Sequence, residues 1–378
     1  MSPSPFPLIE VSGDPRRRGE IHGEAARERV ALSIQHYTEQ MARMKFGAKR
    51  ITEVCEGFLP ALRAWAPDLV EEMEGIAHGA NCPVSAVVLL NARTEVLQIA
   101  QRETGCADDE PDGCTGAVIL PEATRDGNVI HGQNWDWKAE CADTSVALHV
   151  RRDDGPDFLT FTEAGGLARS GMNAAGIAIT ANYLECERDY RAIGIPLPLI
   201  RRRVLEARHF AMALKVVAIT PKSGSNNMML SHAGGEAVNF ECAPDEAFTI
   251  FPEDGMIVHA NHWQSAIALS KLRETGLSSV PDSLYRGRRV QRILDRAKGA
   301  VTAEDLKAAL FDDFASPFAV CRPPVPKEGG NLSATVAMIV MEPAKGHMQI
   351  APLPAINRQF TDYRLDMEVD FTTARAAE

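Results

Sequence analysis

Apolar residues recur at three- and four-residue intervals as far as Glu103 and at two-residue intervals beyond it, and this change of period divides the chain. After a short strand, Leu8-Ile9-Glu10-Val11, Asp14 is placed to cap a helix with Pro15 at its first position. Ile21, Ala25, Val30, Ile34, Tyr37, Met41 and Met44 give that helix one apolar face. Further helices are expected from Thr52 (Val54, Phe58, Leu62, Trp65), from Pro67 (Leu69, Val70, Met73, Ile76) and from Pro83 (Val87, Leu90, Val96, Ile99). The alternating pattern then predicts strands over 115–120, 129–136, 145–151, 157–162, 165–173 and 177–182. A helix over 196–219 precedes a second strand series at 227–232, 237–242, 248–251 and 256–260. Helices over 283–296 and 302–311 follow, the second with Thr302 and Asp305 spaced as a capping box. Strands at 335–341 and 347–351 close the pattern. Two strand blocks with helices between and after them predict face-to-face sheets covered by helices, an α+β fold without a visible linker.

Composition narrows the function. The net charge of −11 argues against non-specific nucleic-acid binding, which needs a basic surface to displace phosphate counterions. No apolar run approaches the roughly 20 residues of a membrane helix. The start, Met1-Ser2-Pro3-Ser4-Pro5-Phe6-Pro7, has neither the basic region nor the apolar core of a signal peptide. The eight cysteines form no CxxC pairs and read as reduced thiols, so a cytoplasmic location is expected. Nucleotide-binding, zincin and GxSxG hydrolase motifs are missing, and no cofactor is expected. His259 and His262 suggest half a metal site. Strand geometry, however, would turn them to opposite faces, and no acidic cluster completes the set, so they are read as hydrogen-bonding residues and no metal is expected. Arg201-Arg202-Arg203 reads as the solvated side of a helix, Asp108-Asp109-Glu110 as a solvated loop, and Arg93 with Glu95 as a structural pair. Asn331-Leu332-Ser333 matches a glycosylation sequon without a secretory signal to use it.

One cysteine stands out by its neighbours. An isolated cysteine is ordinarily a buried structural thiol, but Cys114 opens the first strand of the alternating region and follows Gly113. Glycine leaves its carbonyl open to the neighbouring sulfur and tolerates the backbone strain of an N-to-S acyl shift. Cutting that peptide bond would leave Cys114 with a free α-amine, of pKa about 8, beside its own thiol. One residue would then supply both nucleophile and base.

Asp112-Gly113-Cys114-Thr115, Gly132-Gln133-Asn134-Trp135-Asp136, Phe161-Thr162-Glu163-Ala164-Gly165, His259-Ala260-Asn261-His262 and Phe318-Ala319-Val320-Cys321-Arg322 occur in an order and approximate spacing that resemble one family. It is the acyl-coenzyme A:6-aminopenicillanic acid acyltransferase (isopenicillin-N acyltransferase) family, a branch of the N-terminal nucleophile (Ntn) hydrolases. The likeness extends to Arg18-Gly19-Glu20-Ile21-His22-Gly23, Gly75-Ile76-Ala77-His78-Gly79-Ala80 and Leu90-Asn91-Ala92-Arg93-Thr94-Glu95. The resemblance implies a four-layer αββα sandwich, cut between Gly113 and Cys114 into a helical fragment 1–113 and a catalytic fragment 114–378 that stay together as a heterodimer, with a higher oligomer open. Residues 107–113 would become the new tail of the smaller fragment, free to gate the site.

By motif match, Cys114 would be the nucleophile. Asp136 would bind and orient the freed α-amine, Asn261 would donate its amide to the oxyanion, and Arg322 would hold charge near Cys114. Asn182 is similar to a second oxyanion-hole position of the related bile-salt and penicillin V amidases. Trp135 and Trp137 are expected in the core or the pocket wall. Two departures bear on the substrate: Gly116 replaces a second threonine of the fungal members, and the tail Thr373-Ala374-Arg375-Ala376-Ala377-Glu378 is unlike their peroxisomal-type ending. The expected reaction is hydrolysis of a linear amide, in a small-molecule N-acyl amine or N-acyl amino acid, through an acyl-thioester on Cys114. The alternatives are acyl transfer from acyl-CoA or an acyl-amide to an amine such as 6-aminopenicillanic acid, and a catalytically silent binding protein of the same fold.

Overall fold

The computed structural model describes residues 3–106, 113–326, 332–369 and 371. The acidic loop and gating tail within 107–112, the sequon at Asn331 and the C-terminal tail from residue 372 lie outside the described residues. After β1 (Leu8–Val11) come α1 (Pro15–Ala25), α2 (Arg27–Arg43), α3 (Ala48–Trp65), α4 (Pro67–Ala80), α5 (Val84–Asn91) and α6 (Arg93–Thr104). Asp14 accepts from Arg17 N at 2.8 Å, the cap its sequence predicts. The long first helix and the last helix of this block are each two, broken where Ala26 and Ala92 leave helical geometry. Neither break disturbs the apolar spacing, which is why the period alone runs through both.

The strands and helices that follow are β2 (Thr115–Ile119), β3 (Ile130–Lys138), β4 (Ser145–Val150), β5 (Phe158–Glu163), β6 (Ser170–Asn173), β7 (Ile177–Tyr183), α7 (Leu197–Leu205) and α8 (Phe210–Ile219). The strand expected over 165–173 keeps only its second half, because Gly165 turns the chain at φ 86°. Next come β8 (Asn226–His232), β9 (Glu236–Cys242), β10 (Ala247–Ile250), β11 (Met256–His259), α9 (Ala266–Lys271), α10 (Ser283–Leu294) and α11 (Ala303–Leu310), then β12 (Val325–Pro326), β13 (Leu332–Glu342), β14 (His347–Pro352) and β15 (Thr361–Arg364). The short elements α9, β12 and β15 have no counterpart in the sequence pattern.

Two sheets result. One runs β1-β4-β5-β6-β7-β8-β9-β10, with β1 parallel to β4 and the other pairs antiparallel. The other runs β11-β2-β3-β13-β14-β15, with β12 beside β13. Helices α1–α8 cover the outer face of the first sheet, against Val146, Leu148, Ile177 and Leu230. The sheets meet face to face through Trp135, Phe161, Met172, Ile339 and Met341. Val290 and Leu294 of α10 and Leu306 and Leu310 of α11 cover the outer face of the second sheet, at Ala117, Ile119, Met338 and Val340. The molecule is an α+β sandwich of four layers, helix–sheet–sheet–helix. β13 is apolar at consecutive positions because both of its faces are covered. No helix among the described residues is long and apolar enough to cross a membrane.

The helical layer is held by backbone contact. α1 and α4 approach so closely that a Cβ on Gly75 would lie 2.2 Å from Arg16 O, and one on Gly79 2.3 Å from Glu20 O. Beside this crossing, Glu72 of α4 lies buried between Arg18 and Arg202, with Arg202 Nη1 and Nη2 donating to its two oxygens at 3.0 and 2.6 Å. The basic triplet on α7 is therefore not a solvated face. Arg202 also reaches Glu206, Arg203 pairs with Asp68 and Glu206, and Arg201 is buried. α7 is an interior helix opposed by the acids of α4, so the charges of Arg202 and Arg203 are matched rather than hydrated.

Gly79→Val is expected to lower stability by at least about 3 kcal/mol, since backbone rather than a flexible side chain blocks the added atoms. Gly57→Ala, in open space on the exposed face of α3, should instead stabilise by up to about 1 kcal/mol. Urea midpoints of the two variants against the parent would expose an error if they moved together.

Candidate active site

Period-two alternation along β2 sends Thr115, Ala117 and Ile119 outward to α10 and α11, and turns Gly116 and Val118 inward. Cys114 stands immediately before the strand, not in it, and packs with the inner residues at 5% exposure. The glycine at 116 has a local reason: a Cβ there would lie 2.3 Å from Met229 Cε, so a larger residue needs Met229 to move.

The backbone nitrogen of Cys114 donates to Asn261 Oδ1 at 2.6 Å. Asn261 Nδ2 donates to Tyr183 O at 2.9 Å, which uses one of its two hydrogens. Arg286, fully buried on α10, bridges this corner. Its Nη1 donates to Cys114 O and Thr115 Oγ1, both at 2.7 Å, its Nη2 to Asn261 Oδ1 at 2.8 Å, and its Nε to Asp282 Oδ2 at 2.6 Å. Arg322 pairs with the same Asp282 oxygen and, through Nε, with Asp136 Oδ2 at 3.3 Å. Thr335 Oγ1 donates to Asp136 Oδ1 at 2.6 Å. Gly113 lies between the two cations: a Cβ on it would be 2.5 Å from an Nη2 of each.

Cys114 and Asp136 also line a cavity of about 610 Å³. Trp135 and Trp137 form part of its wall, with Arg93, Arg169, Arg201 and Glu95. Arg93 does not pair with Glu95. Its Nη1 meets Glu163 Oε2 at 2.8 Å, and its guanidinium lies 5.4 Å from the ring centroids of both Tyr37 and Trp137. Arg169 stacks over Trp135 at 4.0 Å. Burial, and next the Asp136 charge, push the Cys114 thiol up to about 11, against the opposing pull of Arg169 and Arg286. Burial lifts the Glu95 carboxyl to about 7 and lowers Arg169 to about 10.

Four of the residues expected from the sequence thus converge: Cys114, Asp136, Asn261 and Arg322. Cys114 and Asp136 reach the cavity wall, with Asn261 and Arg322 bonded behind them, and Asn182 lies outside this cluster. Alternation gives Ala181 and Tyr183 to the cavity wall and turns Asn182 between the sheets, where it accepts from Gln133 Nε2 at 2.7 Å and donates to His259 O at 3.0 Å. His259 and His262 are not on opposite faces. β11 ends at His259, so strand alternation stops there, and the two rings stack with centroids 6.4 Å apart. His259 bonds to Glu241, whose carboxylate also accepts from the backbone nitrogens of Gln264 and Ser265, and His262 bonds to Ser283. Glu241 therefore sets the loop that carries Asn261. No group of three or more metal-ligating side chains exists among the described residues.

Arg286, Asp282, Arg169 and Arg201 were missed from the sequence, and two of them had a signal. Arg286 shares a helical stripe with Val290 and Leu294, and Arg201 shares one with Leu197, Val204 and Leu205, so each charge sits where the period demands an apolar residue.

Residues 123–352 match the family described as acyl-coenzyme A:6-aminopenicillanic acid acyl-transferase, and the chain belongs to that family. The matched stretch holds Asp136, Asn182, Asn261 and Arg322 and begins after Cys114. A protein of Emericella nidulans, the acyl-coenzyme A:6-aminopenicillanic-acid-acyltransferase 40 kDa form, is 28% identical over 337 residues, 88% of this chain and 89% of that one. Among solved structures, a conjugated bile acid hydrolase variant of Clostridium perfringens is similar at 14% identity and TM-score 0.48, over 68% of this chain and 94% of that one. Penicillin V acylase of Agrobacterium tumefaciens is similar at 14% identity and TM-score 0.45, over 69% and 89%.

With a thiol pushed up to about 11, the neutral form dominates at pH 7 and the thiolate fraction grows about tenfold per pH unit. Alkylation of Cys114 in the uncut chain, read by peptide mass, should climb with that slope between pH 7 and 9. A plateau below pH 8 would show a thiol that burial does not control.

Proposed function

We propose that this family member is a self-processing cysteine Ntn enzyme that hydrolyses the amide of a small-molecule N-acyl amine or N-acyl amino acid through Cys114. The observation that carries the reading is the placement of Cys114. This residue lines a cavity, its nitrogen is held by Asn261 Oδ1, and the preceding Gly113 lies against two buried guanidiniums.

Self-cleavage begins with attack of the Cys114 sulfur on the Gly113 carbonyl carbon. The C–N bond breaks, the thiol proton passes to the departing nitrogen, and the Gly113 acyl group rests on sulfur as a thioester. Water then releases Gly113 as a carboxylate and frees the thiol. Arg286 and Arg322 supply the positive charge that favours the oxyanion and the carboxylate formed beside them. Asn261 Oδ1 already holds the nitrogen that becomes the α-amine, and the Asp136 carboxylate favours that amine in its protonated form.

In turnover the α-amine takes the thiol proton, the thiolate adds to the substrate's acyl carbon, and the second hydrogen on Asn261 Nδ2 is the donor for the oxyanion, a contribution of about 3 kcal/mol. The ammonium returns its proton to the leaving amine, and water hydrolyses the acyl-thioester. Asn182 serves by holding His259 O, and so the strand end before Asn261, rather than as an oxyanion donor. The two fragments remain a heterodimer because Arg93–Glu163 and Arg202–Glu72 cross the cut in buried surroundings. The eight unpaired cysteines support a reducing, cytoplasmic location. The name of the Emericella nidulans relative favours a second reading, in which an amine rather than water takes the acyl group from sulfur, with acyl-CoA as donor.

Intact mass should show two fragments in place of the 41.2 kDa chain, and Cys114→Ala should remain whole and lose at least about a thousandfold in amide turnover. Two fragments from Cys114→Ala would rule out cleavage by this thiol. Added hydroxylamine separates the two readings, since hydroxamate formed in preference to free acid marks acyl transfer.

A further inference from the structure

Of the four arginines on the cavity wall, only Arg93 meets a carboxylate among the described residues. Arg93 has the Glu163 carboxylate. Arg169 and Arg201 make no ion pair, and their guanidiniums make no hydrogen bond, among the described residues. Arg201 does so at 4% exposure, with Nε buried and unpartnered. Arg169 is oriented by stacking on Trp135 alone, which leaves its in-plane N–H groups unused. Glu163 acts on Arg169 from its pair with Arg93, and the carboxylate on the cavity wall that acts on Arg201 is Glu95. It forms no ion pair with either arginine, and burial holds its carboxyl up to about 7, which weakens its charge in neutral solution. Asp136, a second carboxylate at the cavity, is engaged by Arg322 and Thr335. Glu185, also on the wall, accepts from Thr275 Oγ1. Arg102, the remaining cation, spends two nitrogens on the carbonyls of Asp189 and Tyr190.

Two cations without paired anions among the described residues, Arg201 buried and Arg169 partly so, are costly to leave so. The repulsion between Arg169 and Arg201 is part of what lowers Arg201 from its usual range, after burial itself. An anion between them removes both costs, and planar guanidiniums match a carboxylate in two-point geometry. Both act electrostatically on the Cys114 thiol, so the anion would be held beside the reacting bond.

We infer that the substrate is an acyl amide bearing a carboxylate on its amine half, an N-acyl amino acid rather than a neutral N-acyl amine, with that carboxylate seated between Arg169 and Arg201. This rests on the reading of Cys114 as the nucleophile. Attack of the sulfur on the acyl carbon breaks the C–N bond, and the departing nitrogen takes its proton from the α-ammonium. The free amino acid then leaves with its carboxylate unchanged.

The test needs no known substrate. Iodoacetate and iodoacetamide are near-isosteric alkylating agents, one anionic and one neutral, and their rates on Cys114 of the cut enzyme are compared with those on free cysteine. The iodoacetate-to-iodoacetamide ratio should exceed that of free cysteine by about tenfold or more. Arg201→Met and Arg169→Met should each lower it several-fold, whereas Arg201→Lys, which keeps a cation, should retain most of it. Self-cleavage of each variant reports that it has folded. With a matched N-acyl amino acid and its carboxamide, Arg201→Met should raise KM for the acid and collapse the preference for it. A ratio equal to that of free cysteine in the cut wild-type enzyme overturns the inference and leaves the nucleophile assignment standing. A chain that stays whole and is labelled by neither reagent overturns both.

Discussion

The Arg286 guanidinium is buried on α10 and reaches four partners at once: the Cys114 carbonyl, the Thr115 hydroxyl, the Asn261 side chain and the Asp282 carboxylate. A charge so far from water persists only because all three nitrogens of its fork donate to buried acceptors. That requirement locks the start of β2, the loop after β11 and the first turn of α10 in one arrangement. Asp282 extends the lock to Arg322 and through it to Asp136, so that two carboxylates and two guanidiniums alternate behind the cysteine. The chemistry proposed for Cys114 depends on this frame more than on the cysteine itself, which burial alone would leave as a protonated thiol.

The helical first third is as much a part of the site as the sheets. Arg93 and Glu95 come from α6, and Tyr37 of α2 donates to Glu163 at 2.6 Å beneath Arg93. The helices can hold these groups in register because α1 and α4 touch backbone to backbone and because Arg202 reaches from α7 to Glu72. A cut between Gly113 and Cys114 would therefore separate the chain covalently without separating the cavity walls. It also explains why the glycines near residues 19 and 75, far from Cys114 in sequence, belong to the same ordered set of motifs.

Much of the architecture was legible. The change from a helical to an alternating period located the start of β2 to within a residue, and the capping box at Thr302 and Asp305 forms as spaced. The failures share a cause. The pattern ran through Ala26 and Ala92 because a break in backbone geometry need not disturb apolar spacing. Arg201, Arg202 and Arg286 were legible only as charges, and charges default to solvent until a partner is known. Glu72 and Asp282, which hold Arg202 and Arg286, carry no mark of burial in their own neighbourhood. Asn182 was placed correctly on its strand, yet its face was decided by Gln133 and the His259 carbonyl opposite.

The hydrophobic period by itself determined most of the order of elements and a layered α+β packing of sheets under helices, and the resemblance carried by the ordered motifs implied one site for Cys114, Asp136, Asn261 and Arg322. Only the tertiary structure decided which cations are neutralised. That is a matter of which carboxylate lies within a few ångströms after folding: Arg93 found Glu163, Arg202 found Glu72 and Arg286 found Asp282, whereas Arg169 and Arg201 face the cavity without an ion-pair partner among the described residues. Coulomb attraction in a buried site falls on the nearest partner in space, and distance along the chain carries no information about it.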